Sequence, residues 1–191
     1  VGAGVTGTMT GDITSGPGST FKLIKRGAGT LELDPLFGND FSGDTAIEAG
    51  RVLALSPSAL SMNSSISVSA GATLEIDDSA GFAFVGSLKD GIGGGGRVII
   101  GRTGFAPILS IGNDNRDTRF SGSITGTGSL DKSGSGHQVL TGASRIGGSL
   151  LLGAFICGCD GELEIRSGSL SAGGFVFVSS GTLSVTKGGT L

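Results

Sequence analysis

Only a few residues of this 191-residue chain have the type and spacing that chemistry requires, and the two cysteines are the first of them. Cys157 and Cys159 are separated by Gly158 alone. A Cys-x-Cys pair can supply half of a tetrahedral zinc site, but such a site needs two more soft ligands, and the chain has a single histidine, His137. We therefore expect no bound metal. Cys157 and Cys159 are expected to form either an outward-facing, strained small-ring disulfide or two free thiols.

Acidic side chains are close together in the sequence at two places. Asp77 and Asp78 are adjacent, so they would point apart on a strand and are better placed to cap a turn than to act as a catalytic pair. The sequence Asn113 to Asp117 alternates side-chain oxygens as calcium loops do, but the glycine and glutamate of such a loop do not follow. An Asn/Asp-rich turn is the favoured interpretation, with a calcium-binding loop as the alternative.

His137 is the remaining candidate for acid, base or nucleophilic chemistry. It stands between Gly136 and Gln138, and the sequence offers it no evident partner. The chain contains no Gly-x-Ser-x-Gly elbow, the turn that exposes a nucleophilic serine in many hydrolases. General acid and base catalysis needs groups that converge in a concave site. We therefore expect no catalytic group, no cofactor and no small-molecule substrate.

The composition limits the classes of function. The chain has 39 glycines, 4 prolines, no tryptophan and no tyrosine, with 15% charged residues and a net charge of −3. Because no block of like charges occurs, nucleic acid and anionic membranes are not expected partners. The longest apolar run, Leu150 to Cys157, is shorter than the ~20 residues that cross a bilayer. The N-terminus carries no basic signal-peptide head, so an export signal would lie outside this sequence.

One short pattern, a glycine followed by an apolar-x-apolar triplet, recurs along the chain. The triplets are Leu31–Leu33, Leu53–Leu55, Leu74–Ile76, Val98–Ile100, Leu163–Ile165 and Leu183–Val185. The intervals between successive triplets are 22, 21, 24 and, later, 20 residues, which are typical of the coil length of a β-solenoid. At about 21 residues a coil, the chain would form about nine coils.

The alternation within a triplet predicts which side chains are inside. In a strand, alternate side chains point to opposite faces, so Leu31 and Leu33 should point inward and Glu32 should face water. The same alternation predicts that Glu75, between Leu74 and Ile76, and Glu164, between Leu163 and Ile165, face water. Stacked coils would then place the six triplets on corresponding walls, with Leu31, Leu53 and Leu74 in one interior ladder. A helical fold is excluded because glycine and Ser/Thr clusters interrupt every apolar helical spacing. A β-sandwich, which also has short alternating strands, stays open as an alternative.

Two longer segments share the pattern L-x-K-x-G-x-G-x-x-x-L. Its residues are Leu23, Lys25, Gly27, Gly29 and Leu33 in the first copy and Leu130, Lys132, Gly134, Gly136 and Leu140 in the second. The pattern resembles the autotransporter-associated β-strand repeat, also called the passenger-associated transport repeat, of type V secretion proteins. Residues 38–45 and 49–50 resemble further elements of that repeat, G-x-N-x-[YF]-[ST]-G-x-T and AG-x-L. The two copies lie near residues 18–55 and 120–142.

The chain also departs from the repeat. After Thr141 and Gly142 the second copy has no N-x-[YF] element, which indicates a deleted or rebuilt corner. The glycine-rich segment Asp90–Arg97 has no place in the repeat and is expected to form a loop. Lys25 and Lys132 are expected to lay their stems along a wall and to keep their ammonium groups in water.

The resemblance implies an all-β fold, a right-handed parallel β-helix. We expect residues 1–191 to form a single β-solenoid segment of a longer passenger, secreted or displayed on the bacterial cell surface. The implied partners are the rest of the passenger and a C-terminal translocator barrel that is not in this chain. The implied function is that of a structural and transport segment that presents or forms an adhesive surface.

Two other functions stay open. A self-associating adhesin or extracellular filament would contact a host surface or another copy through one wall. The pairs Phe82/Phe84 and Phe175/Phe177 each share one face and would be adhesive if that face is exterior. A β-helix enzyme acting on polysaccharides would instead need clustered carboxylates in a groove on one outer wall.

Overall fold

The computed structural model describes residues 2, 4–15, 21–154 and 160–191. Short β-strands make up most of the regular structure in these ranges, and the single-turn 3-10 helix Asp78–Ala80 is the one helical element among them. No helix in the described part of the chain has the length and apolarity needed to span a membrane.

The strands form three walls. The long wall contains β1 (Thr6–Met9), β3 (Thr30–Leu33), β5 (Arg51–Ala54), β7 (Thr73–Ile76), β10 (Arg97–Ile100), β13 (Ser123–Gly126), β16 (Ala143–Ile146) and β19 (Ser169–Ala172). The short wall contains β8 (Phe82–Phe84), β11 (Ile108–Ile111), β14 (Ser129–Lys132), β17 (Leu150–Leu152) and β20 (Val176–Val178). The split wall contains one sheet of β2 (Leu23–Lys25), β4 (Thr45–Ile47), β6 (Ile66–Val68) and β9 (Leu88–Asp90), and a second sheet of β12 (Thr118–Phe120), β15 (His137–Leu140), β18 (Glu162–Arg166) and β21 (Thr182–Thr186).

These three walls are the faces of one parallel β-solenoid, and each coil contributes strands to them. Every pairing between the strands named above is parallel and joins a strand to the corresponding strand of the next coil. From β6 onward, each coil passes through the split, long and short walls in turn. The predicted all-β parallel helix is confirmed, and the β-sandwich alternative is wrong, because a sandwich pairs its strands mostly antiparallel.

The number of coils is smaller than the triplet spacing predicts. The long wall has eight strands, which gives about 8 turns rather than nine. Successive strands of this wall begin 20 to 26 residues apart. The longer intervals contain corner loops, among them Gly91–Gly96 between β9 and β10, so the mean coil is longer than the triplets alone indicate.

One interior ladder of the long wall shows how the core is built. Leu31 pairs with Val52, Val52 with Leu74, and Leu74 with Val98. Val52, Leu74 and Val98 are all buried in the hydrophobic core, and Leu31 packs against it. Each coil thus adds one apolar residue to a continuous column, and successive residues of the column are about 4.8 Å apart. The inward positions predicted for Leu31, Leu33, Leu74 and Ile76 are confirmed.

Leu53 is an exception, and its predicted place in this ladder is wrong. It pairs with Glu32 on one side and Glu75 on the other, in the column that points outward. Val52 takes the interior position instead. Because side chains alternate along a strand, a register one residue different from the predicted one moves Leu53 to the opposite face.

The placement of the last two triplets was also wrong. Leu163–Ile165 lies in β18 and Leu183–Val185 in β21, so both belong to the split wall and not to the long wall. They pair with each other in the predicted phase, Leu163 with Leu183 and Ile165 with Val185. The triplet pattern therefore identifies an apolar strand without identifying which wall the strand joins.

The split wall is interrupted between β9 and β12, which contact each other but share no ladder of backbone hydrogen bonds. The side chain of Gln138 replaces part of the hydrogen bonding that is missing between β9 and β12. Its side chain is 1% exposed, and its Nε2 donates to the carbonyl oxygen of Leu88 at 3.0 Å, while its Oε1 accepts from the hydroxyl of Thr118 at 2.8 Å. A buried amide thus satisfies backbone and hydroxyl groups at the break, where unsatisfied groups would be costly.

Candidate functional site

Lys25 forms the first of two corners that the repeat pattern marks. It ends β2 and pairs with Ile47, whose side chain lies in the core, so the lysine side chain also points inward. Lys25 is 3% exposed. Its Nζ donates to the carbonyl oxygens of Gly27 at 2.6 Å, Ala49 at 2.9 Å and Arg26 at 3.2 Å. The ammonium group therefore joins the turn after β2 to the corresponding turn of the next coil.

Lys132 forms the second corner in the same way. It ends β14, pairs with the core residues Ile111 and Leu152, and is 3% exposed. Its Nζ donates to the carbonyl oxygens of Ser133 at 2.6 Å and Gly134 at 3.0 Å. Both pattern lysines thus occupy interior ladder positions and satisfy carbonyl groups of the turn that follows.

The interior position corrects the expectation that these ammonium groups lie in water. Burial lowers the pKa of Lys25 from its ordinary value. Burial also lowers the pKa of Lys132, although the charges of Asp131, Asp114 and Asp117 oppose that effect. A buried ammonium is tolerated when carbonyls accept its hydrogen bonds, and here backbone carbonyls accept three from Lys25 and two from Lys132.

The two corners lie between different walls. The first joins the split wall to the long wall through β2 and β3, and the second joins the short wall to the split wall through β14 and β15. Both turns place a glycine at positive φ two residues after the lysine, Gly27 at 76° and Gly134 at 68°. Eight residues after the lysine in each copy, Leu33 and Leu140 are buried in the core. One local structure is therefore used at two different corners.

The remaining pattern residues take similar roles in both copies. Leu130 is fully buried, and Leu23 is half-buried. At Gly136, a β-carbon would overlap the carbonyl of Arg116 in the neighbouring coil. The carbonyl of Gly29 lies against Gly50, so that corner also leaves no room for a side chain between coils. Close backbone approach therefore explains the glycine at position 136 in the second copy and, in the first copy, the glycine at position 50 that follows on the next coil.

Asp77 and Asp78 accept hydrogen bonds from backbone N–H groups of turns, as predicted. Asp77 precedes the 3-10 helix, and its Oδ1 accepts from the backbone N–H of Ser79 at 2.9 Å. Asp78 accepts from the backbone N–H of Arg102 at 2.7 Å and of Thr103 at 3.1 Å. Hydrogen bonds from Thr103 and Arg102 hold the pKa of Asp78 below its ordinary value. The two carboxylates therefore serve different turns and do not form a pair.

The Asn/Asp-rich sequence 113–117 links neighbouring coils. Asp114 accepts from the hydroxyl of Ser87 at 3.0 Å, and Asn115 accepts from the backbone N–H of Ser135 at 2.8 Å. Asp117 accepts from the backbone N–H of His137 at 2.8 Å. The favoured interpretation as a turn agrees with this geometry. Within the described ranges, no three histidine, cysteine or carboxylate side chains are grouped as a metal site would need.

His137 has partners that the sequence did not reveal. Its Nε2 lies 3.2 Å from Glu164 Oε2 and 3.8 Å from Glu162 Oε2, both on the next strand of the split wall. Arg166 donates to both oxygens of Glu164, at 2.8 and 2.5 Å, and Thr186 donates to the same carboxylate. These hydrogen bonds, first that of Arg166, lower the pKa of Glu164 to about 2. The parallel register creates this group from positions that the sequence separates.

Glu75 is the second charged group that the sequence did not predict. We expected it to face water, yet it is 1% exposed although its column points outward between Leu53 and Ile99. Arg51 lies 2.7 Å and Arg102 2.5 Å from Glu75 Oε1. Burial opposes its ionisation, but the hydrogen bonds and charges of both arginines together keep the pKa of Glu75 below its ordinary value.

Apolar side chains lie at both ends of the outer face of the short wall. Phe84, Leu151 and Phe177 share one outward column, in which the buried Ser110 and Asp131 stand between Phe84 and Leu151. Phe175 and Phe177 are 65% and 49% exposed. The rings of Phe82 and Phe84 stack with centroids 6.2 Å apart. A groove of about 510 Å³ is lined by Ile108, Ser129, Ser149, Leu151, Ala154, Phe175 and Phe177. Both predicted phenylalanine pairs therefore lie on an exterior face.

Cys157 and Cys159 lie outside the described residues. Their predicted state, a disulfide or two thiols without metal, stays a prediction.

Comparisons with known proteins agree with the repeat geometry. The model of the passenger-associated transport repeat matches residues 23–55, which include the corner of Lys25. The chain is 38% identical over 177 residues to the adhesin BmaC autotransporter of Brucella suis biovar 1 (strain 1330). That similarity covers 89% of this chain and 5% of the relative, so the chain spans a small part of the relative's length. No solved structure matches the chain.

Proposed function

Because the chain carries autotransporter passenger repeats, we propose that it is a structural and transport segment of a passenger and that it presents an adhesive surface. The repeat and the relative place it in a protein that is secreted or displayed on the bacterial cell surface. We propose that residues 1–191 act as one solenoid segment, with the rest of the passenger and a C-terminal translocator as partners. The corner residues 130–140 are proposed as a second copy of the repeat.

The observation that carries this proposal is the way each coil depends on its neighbours. Residues about one coil apart in sequence are connected by the backbone hydrogen bonds between paired strands and by the interior apolar columns. The hydrogen bond from Lys25 to the carbonyl of Ala49 makes a further connection of this kind. A solenoid with neighbour contacts can add coils one at a time from a folded end, without closing long loops. Stepwise folding of this kind would favour outward movement of a chain that emerges unfolded across a membrane.

A non-enzymatic role is part of the proposal. The carboxylates of Asp77, Asp78 and Asp114 bind turn groups, and that of Glu75 is paired with arginines. His137 lies beside Glu164, which Arg166 and Thr186 already engage. Catalysis by acid and base needs groups left available to a substrate in a concave site, and these groups serve the fold instead.

A surface-display assay tests the proposal. Leu74→Asp would place a carboxylate in a fully buried ladder, at a cost of several kcal/mol, so we expect display to fall strongly. Glu32→Gln and His137→Ala change outward positions and should be displayed nearly as well as the wild type. If His137→Ala abolishes adhesion while display is normal, the His137 side chain has a direct role in activity, and the proposed structural role is wrong.

Self-association is the second candidate function, and the apolar side chains on the outer face of the short wall favour it. Exposed aromatic side chains on one face are typical of protein contact sites. Phe175→Ser with Phe177→Ser should lower the associated fraction in analytical ultracentrifugation. Phe105→Ser is the matched control because Phe105 is 85% exposed outside the strands. Equal loss in both variants, or a chain that is monomeric at all concentrations, would rule out this face.

A further inference from the structure

The arginines of the chain divide into two groups by their partners. Five lie 2.5 to 2.9 Å from a carboxylate, namely Arg26, Arg51, Arg102, Arg116 and Arg166. The other three, Arg97, Arg119 and Arg145, are exposed and have no carboxylate partner in the part of the chain that the structure describes. Charged side chains left without partners at a surface are available to a ligand.

Two of the three arginines without a carboxylate partner lie on the outer face of the long wall, and the third lies on the split wall near the corner that leads to β16. Arg97 in β10 pairs with Ser123 of β13, and Arg145 in β16 pairs with Thr125 of the same strand. Arg97 and Arg145 therefore flank β13 on the outer face of the long wall, about 10 Å apart along the axis. Arg119 points out from the split wall, and its Nη2 donates to the hydroxyl of Thr141 at 3.2 Å, just before β16.

A groove of about 340 Å³ opens beside Arg97. Its lining is Ala70, Gly71, Ala72, Thr73, Gly95, Gly96, Arg97 and Ser123. At Gly71 a β-carbon would meet open space, so the backbone is accessible to a ligand there, whereas Gly95 and Gly96 lie against the backbone of neighbouring segments. The nearby carboxylate of Asp90 accepts from the backbone N–H and hydroxyl of Ser121, at 2.6 and 3.0 Å, and is thus engaged within the wall.

The charge on this face is opposite to that of the whole chain. Glu75, the carboxylate of the same outer face, is compensated by both Arg51 and Arg102. With Arg97 and Arg145 added, the outer face from β5 to β16 is net positive, whereas the whole chain carries −3. The hydroxyls of Thr73, Ser123 and Thr125 lie between and beside the arginines.

We propose that this face, defined by Arg97, Arg119, Arg145 and the groove beside Arg97, binds an acidic polysaccharide. Guanidinium groups bind carboxylate or sulfate groups in a bidentate manner, and hydroxyls on the wall can hydrogen-bond the sugar. The inference rests on the proposed adhesive function and names its partner class. It differs from the aromatic face of the short wall in both position and chemistry.

The same face is poorly suited to nucleic acid or lipid. The outward positions of β10, β13 and β16 are Arg97, Ile99, Ser123, Thr125, Ala143 and Arg145. None of these is an aromatic residue on which bases could stack. Two arginines on the long wall and one on the split wall are also few for a duplex with one charge per ~1.7 Å. An acidic polysaccharide, with its charges farther apart, fits the spacing better.

Calorimetry at two salt concentrations tests the inference. The 191-residue chain is titrated with heparin, polygalacturonate, neutral dextran, duplex DNA and anionic vesicles. We expect the chain to bind heparin or polygalacturonate and not dextran. The variant Arg97→Gln with Arg145→Gln should bind at least tenfold more weakly and show a smaller salt dependence. The matched control, Lys22→Gln with Lys187→Gln, removes the same charge from other surfaces and should bind like the wild type.

Three outcomes would overturn the inference. They are no binding to either acidic polymer, equal weakening in both variants, and stronger binding to duplex DNA or anionic vesicles than to the polysaccharides. Thermal unfolding and surface display of both variants are measured in parallel. Normal display of the wild type with no polysaccharide binding refutes the ligand while the passenger role stands, whereas a wild-type chain that is not displayed counts against the passenger role itself.

Discussion

Lys25 and Lys132 occupy equivalent interior positions at corners between different walls. Each ends a strand, stacks on a core isoleucine and donates its ammonium hydrogens to carbonyls of the following turn. The lysine belongs to the turn rather than to a particular wall. Such a corner can be inserted wherever the chain must change direction, which explains how one pattern serves two places in the same solenoid.

Replacing the corner lysine should destabilise the fold. Lys132→Met keeps most of the stem but leaves the carbonyls of Ser133 and Gly134 without their donor, at a cost of about 1–3 kcal/mol. Lys22→Met is the control because Lys22 is exposed. Urea denaturation measures both. A Lys132→Met chain as stable as the wild type would show that the ammonium group is dispensable.

A pair of glycine substitutions separates backbone strain from close packing. Gly134 and Gly71 both have positive φ, 68° and 81°, so alanine costs about 1–2 kcal/mol of strain at either. At Gly134 the added β-carbon would also overlap the carbonyl of Gly112 in the previous coil, whereas at Gly71 it meets open space. Gly134→Ala should therefore lower the melting temperature more than Gly71→Ala. Equal shifts would mean that the coils can separate locally without cost.

The class of fold could be predicted from the sequence because the same pattern of glycine and alternating apolar residues recurs at nearly regular intervals. Apolar residues two apart, with glycines before them, indicate strands and corners at any position, and the lysine pattern marks two corners. The register of strand pairing is harder to predict. Val52 and Leu53 are both apolar, and a shift of one residue in the pairing decides which of them points inward. The partners of Glu75 and His137 were missed because stacking brings together residues that are 24 to 27 positions apart.

Acid should weaken the wild type partly through Glu164. Its pKa falls from an ordinary 4.5 to about 2 in the fold. A depressed carboxyl pKa stabilises the fold above the ordinary value, and the contribution is lost as pH falls through about 4.5 to about 2. Glu164→Gln should therefore be less stable than the wild type at pH 7, with a difference that shrinks by pH 2.

Denaturation at pH 7, 4 and 2 measures the effect of Glu164. Glu32→Gln provides the control because Glu32 contacts Thr8 on a partly exposed surface. A difference between Glu164→Gln and the wild type that stays constant with pH would show that the carboxylate does not act through its ionisation.

Deletion of one whole coil tests the central claim, that the coil is the unit of folding and transport. Arg51 pairs with Thr73, so removing residues 51–72 joins Gly50 to Thr73 and keeps every later strand in register on β3 and β4. Removing residues 51–61 alone shifts the register by about half a coil. Surface display of both deletions, with thermal unfolding of the purified chains, measures the result. We predict that the whole-coil deletion folds and is displayed and that the half-coil deletion does neither; equal tolerance or equal loss of the two would contradict the account.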